Sequence, residues 1–142
     1  MPLTDVVGKL GFLPSMQDAG FSISLPRSPT AAAHARRAVA SGFGDLLGEQ
    51  SLDDVILVVS ELVTNALLHG RGDIRLRIAV DAQLITGAVS DDGRTFSGRP
   101  LEPDPARIGG HGLRIVDRVA ERWGQDGTST NVWFEIPSNA YA

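Results

Sequence analysis

Between Ser51 and Gly70 the chain reads as one long amphipathic helix, and three polar residues on it constrain what the rest can become. Ser51 and Asp54 give a capping-box-like start. Ile56, Val59, Leu62, Val63, Ala66 and Leu67 then recur at helical spacing, and Gly70 predicts a left-handed C-terminal stop. At about 100° per residue, Glu61, Asn65 and His69 share a narrow arc of roughly 80°, while apolar residues cover most of the remaining circumference. On an arbitrary helix such a stripe is the solvent face. It also sets a carboxylate and an amide one turn apart, a pair whose oxygens suit a cation or a nucleophile. Hard Mg²⁺ takes oxygen ligands and keeps waters and substrate phosphates, so one Asn oxygen can suffice.

The other 122 residues must supply a fold around that helix, and 142 residues in all is the size of one domain with one core. A formal charge of −4 and a pI near 5.2 leave no basic footprint for a phosphate backbone, so direct nucleic-acid binding is not expected. The absence of cysteine excludes disulfides and thiolate chemistry. The longest apolar run, Val55 to Val59, falls far short of the roughly 20 residues of a membrane span. The N-terminal stretch also lacks the apolar block of a secretory signal, and a cytoplasmic location is expected. Twelve arginines stand beside a single lysine, Lys9 in the leader, which removes the P-loop, since its Gly-rich turn ends in Lys.

Residues 1–20 hold Gly8, Gly11, Pro14 and Gly20 with little periodicity and are expected to form a flexible or partner-ordered leader; residues 21–142 form the domain. Phe21, Ile23 and Leu25 alternate as in a half-buried strand that Pro26 ends. Ser28 as N-cap and Pro29 as first helical residue predict an Ala-rich helix to about Leu47, with Arg36 and Arg37 available to a partner and His34 at its surface. Ile74–Val80 and Leu84–Val89 are expected to pair as a hairpin through a turn at Asp81 and Ala82. A Gly- and Pro-rich loop from Asp91 to His111 follows. Leu113, Val116, Val119, Ala120 and Trp123 recur at helical spacing, and the last strand is expected at Val132–Ile136. Strands and helices that do not strictly alternate favour an α+β two-layer sandwich.

Two further clusters carry chemistry. Asp91, Asp92 and Gly93 follow an apolar strand directly; this is a common turn, but a carboxylate buried at a strand end can also accept a hydrogen bond from an exocyclic amine. Gly109, Gly110, His111 and Gly112 run into a helix. Such glycines either form a hinge or let backbone N–H groups approach an anion at the positive end of the helix dipole.

Together, ELVTNALLHG (Glu61 to Gly70), SDDG (Ser90 to Gly93) and GGHGL (Gly109 to Leu113) resemble, in order and spacing, the asparagine box and two glycine boxes of the GHKL (Bergerat-fold) ATPases, with greatest similarity to the stand-alone anti-sigma-factor serine/threonine kinases. The resemblance implies a mixed, mostly antiparallel sheet covered on one face by three helices. It also implies ATP and Mg²⁺, with Asn65 as the metal ligand and Glu61 as the catalytic group that orients or deprotonates the attacking hydroxyl. Asp91 would hold the adenine amine and Gly93 would admit the base. Gly110, Gly112 and Leu113 would line the phosphates and ribose, with His69, Arg107 and Gly109 beside them and residues 94–107 as the lid. The family's threonine before the last strand falls on Thr128 or Thr130, with Asn131 next to the following Val-Trp pair. Thr95 stands where the first glycine box often has a second glycine. The partners implied are a sigma factor and an anti-anti-sigma protein, with a homodimer as the usual assembly. An ATP-binding interaction module without phosphotransfer is the alternative.

Overall fold

A computed structural model describes residues 19–81, 83–93, 111–125 and 131–138. In chain order they form β1 (Ala19–Leu25), α1 (Ala31–Phe43), α2 (Glu49–His69), β2 (Ile74–Val80), β3 (Leu84–Ser90), α3 (His111–Val119), β4 (Arg122–Gln125) and β5 (Val132–Pro137). The strands make one sheet in the order β1-β2-β3-β5-β4. Every described pairing is antiparallel, in keeping with the mostly antiparallel sheet that the resemblance implies. The architecture is the expected α+β two-layer sandwich.

Strand alternation decides which face of the sheet is covered. On β2, Ile74, Leu76, Ile78 and Val80 are buried while Arg75 and Arg77 are exposed. The register sets Ile78 opposite Phe21 on one side and Gly87 on the other, and Gly87 opposite Phe134, so one apolar face is continuous across the sheet. The α2 helix lies over that face against β2, β3 and β5, while α1 packs on β1 and α3 on β4. Gly87 is required there: a Cβ would run into the ring of Phe134.

The helices use the spacings expected of them, with shifted ends. In α1 the buried stripe is Ala31, Ala35, Val39 and Phe43, and Phe43 stacks on Phe21 with ring centroids 5.3 Å apart. The helix starts at Ala31, two residues after Pro29, because residues 28–30 form a turn in which Ser28 Oγ accepts the Thr30 N–H at 3.2 Å. It ends at Phe43 before Gly44, short of Leu47. The α2 helix begins at Glu49 behind an extended Gly48, so Ser51 lies within the first turn, 1% exposed, and does not cap it. Gly70 ends α2 as expected, but with φ −95° and ψ −165°, which is extended and not left-handed.

The α3 helix stops at Val119, not near Trp123. The Glu121 N–H donates to the Glu135 carbonyl at 2.8 Å, and the chain from Arg122 becomes a strand along β5. Trp123 still reaches back to α3, donating from Nε1 to Asp117 Oδ1 at 2.9 Å. Its neighbour Gly124 lies under the Trp133 ring, which a Cβ would approach at 2.9 Å. The hairpin between β2 and β3 matches the expected strands, with Asp81 Oδ1 accepting the N–H groups of Gln83 at 2.8 Å and Leu84 at 2.7 Å. Among the described residues no helix is long and apolar enough to cross a membrane.

Candidate functional site

The carboxyl end of α2 meets the carboxyl end of β3. Val58, Val59, Leu62, Val63 and Ala66 anchor α2 in the core, leaving Glu61 and Asn65 half-buried and His69 exposed at the last position. Asn65 carries the unusual atom: its Nδ2 is buried and has no hydrogen-bond partner among the described residues. Buried amides are nearly always paired, so this group calls for an explanation.

Asp91 follows β3 directly. Its Oδ1 accepts the Gly93 N–H at 2.6 Å, which turns the chain back on itself. Its Oδ2 lies where a Cβ on Gly70 would be, so the asparagine box and the first glycine box are in van der Waals contact through a glycine. Gly70 is five residues past Asn65, roughly 7 Å of helix rise. Asp91 therefore stands at the carboxyl end of the helix that carries Asn65 and, one turn further from that end, Glu61.

Beside them sits a second, charged cluster. Arg75 Nη2 donates to Asp92 Oδ1 at 2.6 Å, the Asp73 N–H donates to Asp92 Oδ2 at 3.0 Å, and the Asp92 N–H donates to the Arg71 carbonyl at 2.7 Å. The hydrogen bond from Arg75 and then that from Asp73 hold the Asp92 carboxyl below its ordinary range, and Asp92 in turn raises the Arg75 guanidinium. Gly72, at φ +69°, turns in the left-handed region with Asp92 packed against it.

Leu113 is 3% exposed and belongs to the hydrophobic core, so any ligand contact it makes runs through its backbone in the first turn of α3. The backbone of Gly112 lies in that same turn. Arg107, Gly109, Gly110 and Thr130 lie outside the described residues, as do Thr95 and Thr128. One residue at this edge has no sequence signal at all. Arg27, after β1, bonds the carbonyls of Ala66, Leu67 and Gly72.

Among the described residues no three His or carboxylate side chains converge to hold a metal. The Asn65 amide, buried with an end unpaired, fits a site completed by a ligand that brings its own oxygens.

Comparison with curated proteins gives no match to the chain. The model of the histidine kinase-like ATPase domain matches residues 25–135, a span that contains α1, α2, the β2–β3 hairpin and α3. The contact between Asn-box helix and strand-end aspartate is thus found within a span that carries a family's signature, and the chain belongs to the histidine kinase-like ATPase domain family, the nucleotide-using domain of the GHKL type.

Proposed function

We propose that this domain binds ATP with Mg²⁺ and transfers the terminal phosphoryl group to a serine or threonine of a small anti-anti-sigma protein, acting as an anti-sigma regulatory kinase. The observation that carries the proposal is the buried Nδ2 of Asn65, without a partner among the described residues, on the last stretch of α2 before Gly70, which packs on Asp91. Leaving such a group unpaired costs about 1–3 kcal/mol, a cost a ligand removes by completing the site. A turn about the last torsion exchanges the amide's two ends, so the side chain offers Oδ1 to a metal or Nδ2 to a phosphate oxygen. Asn65 would hold the Mg²⁺ together with the nucleotide's own oxygens, and the ion would supply positive charge to offset that of the phosphates.

Glu61, one turn before Asn65, takes the proton of the attacking hydroxyl as that oxygen bonds to the γ-phosphorus and the bond to the bridging oxygen breaks, its electron pair leaving with ADP. Asp91 accepts from the exocyclic amine of adenine; a carboxylate accepts up to about four hydrogen bonds, so the Gly93 contact does not preclude another donor. Guanine presents a carbonyl at that point and would set acceptor against acceptor. Arg36 and Arg37 are exposed on α1, and Arg36 donates to Ser60 Oγ at 2.9 Å, one residue before Glu61, so a partner docked on α1 would sit close to the transfer group.

Purified protein with Mg²⁺ and labelled ATP tests the proposal. Glu61→Gln is expected to abolish transfer and spare binding, while Asp91→Asn weakens binding itself; equal losses in both would overturn this division of roles. ATP binding with no transfer to any antagonist offered would favour the interaction-module alternative, which Thr95 supports by adding a side chain where the box often has a glycine.

A further inference from the structure

Arg27 lies between β1 and α1, outside every motif that points to the nucleotide. Its guanidinium nevertheless donates three hydrogen bonds to backbone carbonyls 39, 40 and 45 residues away: Nη2 to Ala66 at 3.0 Å, Nη1 to Leu67 at 2.6 Å and Nε to Gly72 at 2.9 Å. The Ala66 and Leu67 carbonyls belong to the last turn of α2, where helix geometry leaves oxygens short of intrahelical donors; that of Ala66 also accepts the Gly70 N–H at 2.9 Å. The Gly72 carbonyl lies beyond the Gly70 stop. One planar fork therefore spans both sides of the stop and fixes the direction in which the chain leaves the helix.

The same short segment is also held by the residues that follow β3. Gly70 packs on the Asp91 carboxylate and Gly72 on that of Asp92, which also accepts the Asp73 N–H. Arg27 lies close enough for its charge to favour the ionised Asp92 carboxylate. Residues 70–73 are thus held both by Arg27 and by the Asp91–Asp92 pair. Loss of one grip lets the segment shift, and Asp91, in contact with Gly70, shifts with it.

We infer that Arg27 is a positioning residue of the nucleotide site, setting where the Asp91 carboxylate stands relative to Asn65 by fixing residues 66–72. The inference rests on Asp91 as the adenine acceptor. It differs from ordinary C-terminal capping, which stabilises a helix without affecting which base is bound.

The experiment compares wild type, Arg27→Ala and Arg27→Lys by titration with Mg-ATP and Mg-GTP at a temperature where thermal melts show each protein folded. Arg27→Ala is expected to weaken ATP binding by about tenfold, the scale of losing a group that orients a ligand contact, and to shrink the preference for ATP over GTP. Arg27→Lys keeps the charge without the planar fork and falls between. Wild-type ATP affinity and preference in folded Arg27→Ala, however far its melting temperature drops, would reduce Arg27 to a helix cap and overturn the inference. Should Arg27→Ala not fold, the same outcome in Arg27→Lys overturns it. A wild type that binds neither nucleotide is a different failure, which sinks the ATP reading itself and this inference with it.

Discussion

The carboxylate of Asp91 occupies the space that a Cβ on Gly70 would need. Gly70 has an extended backbone that any residue can adopt, so the glycine is required by this close approach and not by handedness. Gly70→Ala drives a methyl group into Asp91 and to within 2.7 Å of the Ala66 carbonyl. It is expected to destabilise the fold by about 1–3 kcal/mol in urea unfolding and to weaken ATP binding, because Asp91 must move. A variant as stable and as tight-binding as wild type would show that the two boxes are not coupled.

Asn65→Ala separates function from stability in the opposite sense. The substitution removes a buried amide end that has no partner, so unfolding free energy is expected to stay within about 1 kcal/mol of wild type. Mg-ATP binding, followed calorimetrically, is expected to be lost. A marked drop in apo stability would mean that the amide is paired within the protein.

Asp92 adds a pH dependence whose sign follows from its depressed carboxyl. A group with a lowered folded-state pKa contributes stability above its unfolded value, here the ordinary 3.8, and loses it as pH falls through the lower folded value. Wild type and Asp92→Asn should therefore differ most at neutral pH and converge below about pH 4. Both partners are roughly half exposed, so the gap should be small and should narrow with added salt. Urea melts across pH and ionic strength measure it; a gap that widens in acid contradicts the pairing.

Gly87→Ala tests the core at a distance from the site. A methyl group there meets the Phe134 ring and sits 3.2 Å from the Arg77 carbonyl, so a loss of about 1–3 kcal/mol is expected. ATP affinity below the melting range should be unchanged. A binding loss as large as that of Gly70→Ala would show that any destabilisation, not the specific contact, disables the pocket.

What was legible in the sequence was local. The stripe of Glu61, Asn65 and His69 follows from helical period alone, and the β2–β3 hairpin follows from alternation and a short turn. Structure departs from local pattern where distant residues decide. Trp123 continues the helical spacing of Leu113, Val116 and Val119, yet the pairing of Trp123 with Phe134 converts it to a strand residue. Ser51 and Asp54 have capping-box spacing, but α2 starts earlier and buries Ser51. Gly70 ends α2 as the sequence predicts, but the need for a glycine there comes from the Asp91 carboxylate that follows β3 and not from a left-handed turn. Arg27 was not identifiable, because nothing near it in the chain indicates carbonyls 39–45 residues away. Of the second glycine box only the α3 end is described, and Arg107, Gly109, Gly110 and Thr130 lie beyond the described residues.

The strand order places β3 third of five, hydrogen-bonded to β2 on one side and β5 on the other, and Asp91 follows it by a single residue. The edge strands β1 and β4 can fray without disturbing that ladder, whereas β3 amides exchange with solvent only when the sheet itself opens. The Asp91 carboxylate therefore hangs from a central strand paired on both sides. Fraying of the periphery leaves the strand beneath Asp91 in place, and what displaces the carboxylate is the segment it packs on, Gly70, and not the sheet.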